Sequence, residues 1–165
     1  MKKEQYEKIN AWFEQKPNRL HLLKAADVFC VGCAVAAVLE QLFQFRMENP
    51  APTIRFALTC GVPLVGLSAA RKFINAPRPY EVYDLQPLMP RESSGKSFPS
   101  RHVFSIFVIA GCYLHLLPGE GAVLLLLGVI LAALRVVAGL HFEKDVIAGA
   151  AIGLLSAFVG YDLIP

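Results

Sequence analysis

Charged residues are scarce in this sequence: Asp, Glu, Lys and Arg together make up 18% of its 165 residues, against roughly a quarter in soluble domains. Hydrophobic residues reach 55%, and the mean hydropathy is +0.48. This balance favours a membrane protein over a soluble domain. The net charge is only +3 and no long basic run occurs, which argues against nucleic acid as a partner.

Cysteine is also sparse, and all four cysteines, Cys30, Cys33, Cys60 and Cys112, lie inside apolar runs. Cys30 and Cys33 have the spacing of a redox or zinc pair, but no second pair and no thioredoxin-like pattern accompanies them. We interpret the four as small packing residues. We therefore expect neither a metal site nor a cofactor.

The N-terminal segment, residues 1–24, lacks the apolar core and small-residue cleavage site of a signal peptide. It is charged, and Ile9, Trp12, Phe13 and Leu20 roughly follow helical spacing. This pattern predicts an amphipathic helix at the membrane interface; the alternative is a frayed polar tail. We predict that residues 25–165 form a single membrane-embedded domain.

Apolar segments dominate the rest of the chain, and most approach the roughly 20 residues that a helix needs to cross a bilayer. The third is short, but residues 100–102 can extend its first turn, and Pro118-Gly119 stops it. The sequence predicts an all-α polytopic bundle of about five transmembrane helices, at about Ala25–Phe45, Thr53–Ala70, Val103–Leu117, Ala122–Leu140 and Val146–Ile164.

Polar segments separate these helices: a turn at Glu48–Pro52, a loop at Asn75–Phe98, a turn at Pro118–Gly121 and a break at Gly139–Lys144. In the last helix, Gly149 and Gly153 have the spacing that lets two membrane helices approach closely. We attribute this spacing to packing inside the bundle. A homo-oligomer stays open as an alternative.

An ionisable residue at membrane depth needs a partner or a function, and Arg135 follows the apolar run of residues 123–134. Gly139 is expected to end that helix, His141 follows in the break, and Asp145 lies in the first turn of the next helix. A neutral histidine can attack phosphorus when a carboxylate holds the proton on its other ring nitrogen. The alternative is that His141 and Asp145 only cap helix ends.

A second polar group, Pro99–His102, immediately precedes an apolar helix, whose first backbone N–H groups can bind an anion. Ser100 can cap the helix or donate to a phosphate. His102, as an imidazolium, could protonate a leaving alkoxide. By itself, a Ser-x-His at a helix start more often indicates only a cap.

A third group, Arg71-Lys72 and Arg78-Pro79, follows the second apolar run. Arginine side chains match phosphate oxygens in pairs. On a continuous helix Arg71 and Arg78 would share a face, whereas Lys72 would diverge from Arg78 by roughly 120°, so we favour Arg71 and keep Lys72 as a possible ligand. The alternative for this segment is that Pro77 breaks the helix before Arg78. The alternative is an ordinary basic flank on lipid headgroups.

Ser94-Gly95-Lys96-Ser97 has the ending of a nucleotide-binding P-loop. Pro90 stands where the first glycine of that motif belongs, and no strand precedes it. We interpret the similarity as accidental.

Taken together and in this order, the three groups resemble the sequence motifs of the type 2 phosphatidic acid phosphatase superfamily, which also includes the vanadium haloperoxidases. The family's first motif is Lys, six residues, then Arg-Pro; here Arg71 stands at the lysine position before Arg78-Pro79. The second motif is Pro-Ser-Gly-His, and Pro99–His102 matches it with Arg101 in place of glycine.

The family's third motif is Ser-Arg, five residues, His, three residues and Asp. The chain has Leu134-Arg135, then His141 and Asp145 at the same spacing, so only the serine is absent. The resemblance implies an all-α bundle, covering roughly Thr53 to Ile164, in which the three motifs meet at one membrane surface.

The resemblance also implies a metal-free mechanism. His141 would form a phosphohistidine, Asp145 would orient it, and His102 would protonate the leaving group and then activate water. The phosphoryl oxygens would be held by Arg71, Arg78, Arg135 and Ser100. Arg101 adds a cation that could meet a second phosphate, lipid headgroups or Glu92.

The sequence therefore predicts a membrane phosphatase acting on a lipid phosphate. Polyprenyl pyrophosphates such as undecaprenyl pyrophosphate, phosphatidylglycerophosphate and phosphatidate all fit, with a slight preference for the first. The alternative is a non-catalytic protein that binds phospholipid headgroups through a degenerate site, given the departures at positions 71, 101 and 134.

The sequence gives two conflicting indications of the membrane orientation. The resemblance implies a cell-membrane protein with its active site on the extracytoplasmic face. The lysines and arginines of residues 1–24 favour a cytoplasmic N-terminus, whereas the opposite loops offer only Arg46 and Arg55. With five spans, the N-terminus and the motifs would lie on one side, so the two indications conflict.

Overall fold

The computed structural model describes residues 1–47, 50–91 and 94–164. These residues form helices and connecting segments with no strand among them, which confirms the all-α prediction. In chain order the helices are α1 (Lys3–Glu14), α2 (Pro17–Met47), α3 (Pro50–Ile74), α4 (Pro79–Val82), α5 (Arg101–Leu116), α6 (Pro118–Val137) and α7 (Glu143–Phe158), which continues into a π-helical turn, Val159–Leu163.

Four stretches of the described residues are long and apolar enough to cross a membrane: Pro17–Gln44, Pro50–Val82, Pro118–Val137 and Glu143–Leu163. The third predicted span, Val103–Leu117, corresponds to α5, which has only 16 residues, or about 24 Å of helix. It is the most deeply buried helix of the bundle and packs against α2, α3, α6 and α7. The chain is therefore a multi-pass membrane protein built around a short central helix.

The N-terminal segment ends earlier than expected. Residues 17–24, which were predicted to belong to the interfacial segment, form the first turns of α2. Pro17 begins that helix, where its fixed φ is favourable and its missing N–H is not needed. Arg19 joins the two helices, since its guanidinium lies 3.8 Å from the centre of the Trp12 ring and donates a hydrogen bond of 2.7 Å to the Trp12 carbonyl.

Close packing of α7 on α5 depends on glycine. A Cβ atom added to Gly149 would lie 2.6 Å from the Ser100 carbonyl oxygen, and one added to Gly153 would lie 2.7 Å from that of Phe104. Such distances are far shorter than ordinary van der Waals contacts. The prediction that these small residues serve packing inside the bundle is confirmed.

Two predicted turns differ from the structure. Residues 118–121 form the first turn of α6, because proline at the first helical position starts a helix as readily as it ends the preceding one. Of the predicted turn at Glu48–Pro52, Glu48 and Asn49 lie outside the described residues, and Pro50 begins α3.

Candidate active site

His141 and Asp145 lie together at the start of α7, and both are fully buried. Gly139, with φ of 73°, ends α6, and the backbone N–H of His141 donates back to the Arg135 carbonyl at 3.3 Å. His141 Nδ1 lies 3.6 Å from Asp145 Oδ2. Because Nδ1 faces the carboxylate, Nε2 is directed to the opposite side of the ring.

Asp145 Oδ2 is held by two further donors. The Ser97 hydroxyl donates to it at 2.5 Å, and the Phe142 backbone N–H donates at 2.9 Å. Ser97 Oγ is also 3.4 Å from His141 Nδ1. These contacts fix the carboxylate beside the imidazole, and the sequence analysis missed Ser97 because no motif spacing marks it.

Ser100 connects the second motif to the third. Its backbone N–H donates to the Asp145 carbonyl at 2.8 Å, which places the start of α5 beside the start of α7. The Ser100 side chain is fully buried, and its Oγ has no hydrogen-bond partner among the described residues. A buried hydroxyl of this kind is suited to donate to a bound anion.

His102 and Arg101 lie in the first turn of α5, where His102 is half-buried and Arg101 is exposed. Both line a cavity of about 660 Å³ between α2, α3 and α5. The other lining residues are almost all apolar and include Val31, Val38, Leu42, Phe56, Leu64 and Ile109. Glu92, one predicted contact of Arg101, lies outside the described residues.

The arginines of the first motif join the other two motifs. Arg71 is buried, and its Nη1 donates to the Pro99 carbonyl. Arg78 is fully buried and donates through Nε to the Gly95 carbonyl at 3.1 Å and through Nη1 to the Leu140 carbonyl at 3.2 Å. The three motifs therefore converge at one end of the bundle.

Arg71 and Arg78 do not share a helix face, because the helix ends before Arg78, as the alternative for this segment predicted. The α3 helix ends at Ile74, and Arg78 has extended backbone at the N-cap of α4, because Pro77 and Pro79 both disfavour helical continuation. Lys72 is exposed beside Phe73, on the surface of the last turn of α3. Arg71 is thus the residue of this pair that the structure brings to the site.

Arg135 is buried in an ion pair that the sequence analysis missed. Its Nε lies 3.0 Å from Asp27 Oδ1 and its Nη2 lies 3.2 Å from Asp27 Oδ2. Asp27 belongs to α2 and interrupts the apolar run 25–45. An ionisable residue in such a run indicates a partner or a function, but the spacing of residues could not identify Arg135 as that partner.

Helix α1 covers the segments that carry the site. Ile9 and Phe13 pack against a buried apolar cluster of Leu23, Tyr80, Leu88, Met89, Ala138 and Leu140. Tyr6 is buried, with its ring centre 5.9 Å from that of Tyr83. Burial raises the pKa of the Tyr6 phenol above its ordinary value.

Positive charge at this end of the bundle comes from arginine side chains. Among the described residues, no group of three or more His, Cys, Asp and Glu side chains has the arrangement of a metal site. Guanidinium groups, backbone N–H groups of a helix start and a buried hydroxyl together form an environment suited to a phosphate.

The chain belongs to the PAP2 superfamily, whose family model matches residues 52–165. This confirms the resemblance predicted from the three motifs, all of which lie within the match. Helices α1 and α2, including Asp27, lie outside it. No curated protein sequence matches the chain.

Two solved structures resemble the chain. Aquifex aeolicus LpxE superposes with a TM-score of 0.66 at 27% identity and covers 86% of this chain and 93% of its own. A Bacillus subtilis transmembrane PAP2-type phosphatidylglycerolphosphate phosphatase superposes with a TM-score of 0.67 at 24% identity, covering 90% of this chain and 77% of its own. The fold is thus that of PAP2 membrane phosphatases.

Proposed function

We propose that this protein hydrolyses the phosphate of a membrane lipid through a phosphohistidine at His141. The observation that carries the proposal is the buried arrangement in which Asp145 Oδ2 lies 3.6 Å from His141 Nδ1 and is held by Ser97. This arrangement favours the tautomer with its proton on Nδ1, so that the lone pair of Nε2 can attack phosphorus.

In the first step Nε2 of His141 bonds to phosphorus while the bond from phosphorus to the lipid oxygen breaks. The proton of a charged His102 goes to that oxygen, and the lipid leaves as an alcohol or, from a pyrophosphate, as a monophosphate. Asp145 stabilises the positive ring that forms. In the second step water attacks phosphorus, neutral His102 accepts its proton, and the P–N bond breaks to release inorganic phosphate.

The phosphoryl oxygens are assigned to Arg71, Arg78, Arg135 and Ser100. Arg71 and Arg78 already contact the backbone of the second and third motifs, and Ser100 has a buried hydroxyl at the start of α5. Preorganised donors of this kind stabilise charge that develops during the reaction, which is usually the largest catalytic contribution.

The apolar cavity supports a lipid substrate. His102 lines the cavity, which extends between the membrane-spanning helices α2 and α3. A hydrocarbon chain lying there would hold its phosphate at the end where His102 can protonate the leaving oxygen. A water-soluble phosphate ester has no group to fill this space, so we expect it to be a poor substrate.

Among lipids we favour a polyprenyl pyrophosphate, because Arg101 lines the same cavity as His102 and supplies a cation for a second phosphate. Phosphatidylglycerophosphate is the second candidate, since the Bacillus subtilis relative is named for that lipid. Phosphatidate is the third. The Arg101→Ala variant tests the preference for a pyrophosphate. It should lower turnover of a pyrophosphate much more than turnover of a monophosphate.

The test is phosphate release in detergent micelles from undecaprenyl pyrophosphate, phosphatidylglycerophosphate, phosphatidate and a soluble ester. Wild type is compared with His141→Ala and with His115→Ala, a matched control at the far end of α5. We expect release by wild type and the control and none by His141→Ala. Absence of release by folded wild type from every lipid would instead favour a headgroup-binding protein with a degenerate site.

We further propose that the site faces the extracytoplasmic side of the cell membrane and that residues 25–165 act as one domain. Single cysteines placed at the exposed positions Asp84 and Ser94 of a cysteine-free variant test the orientation. Labelling in intact cells by a membrane-impermeant maleimide is expected. Labelling only after lysis would place the site on the cytoplasmic side.

A further inference from the structure

We propose that Asp27 is a positioning residue that holds Arg135 in the orientation in which it binds the phosphoryl group; this proposal rests on the proposed function. Asp27 lies on α2, outside the residues that match the family model. Its carboxylate meets Arg135 on α6 across 108 residues of sequence.

The contact is two-pronged and buried. Asp27 Oδ1 lies 3.0 Å from Nε and Oδ2 lies 3.2 Å from Nη2, while the two residues expose 9% and 5% of their surface. One hydrogen bond, from Nη2 to Oδ2, and one ion-pair contact, between Nε and Oδ1, lie along the same edge of the guanidinium. Together they restrict both the position of the group and the direction of that edge. A single contact, or a lysine in place of Arg135, would leave that direction undetermined.

The two edges of the Arg135 guanidinium have different roles in this proposal. Asp27 occupies the side edge formed by Nε and Nη2. The end edge, formed by Nη1 and Nη2, has a different direction and can present two parallel N–H groups to a phosphate. Asp27 can therefore hold Arg135 without taking the edge that a phosphoryl group would use.

Charge and positioning predict opposite effects when Asp27 is neutralised. Removal of a negative charge next to Arg135 would by itself strengthen the attraction for an anion. Loss of the two-pronged contact would let the guanidinium turn and would weaken binding to a transition-state mimic. A misplacement of about 1 Å can lower a rate by about 100-fold, so we expect positioning to dominate.

The first variants are Asp27→Asn, which keeps the shape of the side chain, and Asp27→Glu, which keeps its charge. For Asp27→Asn we expect kcat to fall by about 10- to 100-fold with little change in KM, and the inhibition constant of orthovanadate to rise by a similar factor. Asp27→Glu should recover part of both. The matched control is Glu40→Gln, a carboxylate on the same helix about 20 Å away that accepts from the Tyr113 hydroxyl.

A double-mutant cycle distinguishes positioning from a purely structural role. The cycle compares Asp27→Asn, Arg135→Gln and the double variant. Because removal of one partner from a buried ion pair strongly destabilises a protein, each variant is first checked for folding by thermal unfolding in detergent. If Asp27 acts through Arg135, the Asp27→Asn change should have little further effect on kcat in the Arg135→Gln background.

The outcomes separate the two proposals. Three results would each overturn the positioning role and leave the phosphatase proposal intact. The first is an Asp27→Asn variant with the kcat and vanadate inhibition of wild type, and the second is tighter vanadate inhibition in that variant. The third is a full additional loss of kcat when Asp27→Asn is added to Arg135→Gln. Folded wild type that releases no phosphate from any of the lipids would overturn both proposals. Both proposals would be supported if kcat falls in Asp27→Asn, partly recovers in Asp27→Glu, and in the double variant is no lower than in Arg135→Gln.

Discussion

The Ser97 hydroxyl donates a hydrogen bond of 2.5 Å to Asp145 Oδ2, the same oxygen that faces His141 Nδ1. Ser97 belongs to the loop before α5, whereas Asp145 lies in the first turn of α7. The loop therefore contributes directly to the orientation of the proposed nucleophile, although its sequence carries no family motif at this position.

Ser97→Ala should lower kcat by about 10- to 100-fold with little change in KM, because a hydrogen bond to a charged group contributes roughly 1.5–3 kcal/mol. Phosphate release measured over a range of lipid concentrations checks this. Ser156→Ala is the control, since the exposed Ser156 hydroxyl donates to the Ile152 carbonyl of its own helix. Equal kinetics for the two variants would contradict a role for Ser97.

Arg78→Lys should lower kcat/KM by at least about 100-fold, because one ammonium group cannot replace a fully buried guanidinium that bridges the Gly95 and Leu140 carbonyls. Arg91→Lys is the matched control, at an exposed position of the same loop. Thermal unfolding of the purified variants separates lost activity from lost folding. A fully active Arg78→Lys enzyme would show that charge alone is sufficient there.

Gly149→Ala should lower both stability and activity, because the added methyl group would lie 2.6 Å from the Ser100 carbonyl and push α5 away from α7. Overpacking of this kind destabilises a protein by about 1–3 kcal/mol. The control is Gly66→Ala, where an added Cβ would meet nothing within 4 Å. Unfolding midpoints and phosphate release are measured for both, and a neutral Gly149→Ala would contradict the tight approach of the helices.

Activity should depend on pH with a bell-shaped profile, since the first step needs neutral His141 and charged His102. The rate falls at low pH as His141 gains a proton and at high pH as His102 loses one. His102→Ala should remove the alkaline limb while leaving some turnover of the better leaving groups. A flat profile for wild type from about pH 5 to about pH 8, the range in which histidines titrate, would contradict these roles.

Orthovanadate should inhibit wild type, because it can adopt five ligands and resemble the phosphorus at the point of attack. Inhibition is measured as the competitive constant against the lipid, in the presence and absence of a chelator. We expect inhibition by vanadate and no effect of the chelator. Insensitivity to both would argue against the phosphohistidine mechanism.

The class of fold and the positions of the motifs could be predicted from the amino-acid sequence. Apolar runs near the length of a bilayer predict helices whatever their neighbours, because backbone polar groups in lipid must be satisfied within the helix. The third motif was also predictable, because His141 and Asp145 are close along the chain: His141 lies just before α7 and Asp145 lies in its first turn, so the two meet through local geometry.

The distant side chains that complete the site could be identified only from the way the helices pack. Ser97 is 48 residues from Asp145, and Asp27 is 108 residues from Arg135; such contacts depend on how helices pack, and the spacing of residues along the chain does not encode them. The same holds for Arg78: the sequence left open whether a helix continues to it or breaks at Pro77, and the structure has the break, because two prolines turn the chain after α3. Sequence patterns describe each helix separately, whereas the site is formed where several of them meet.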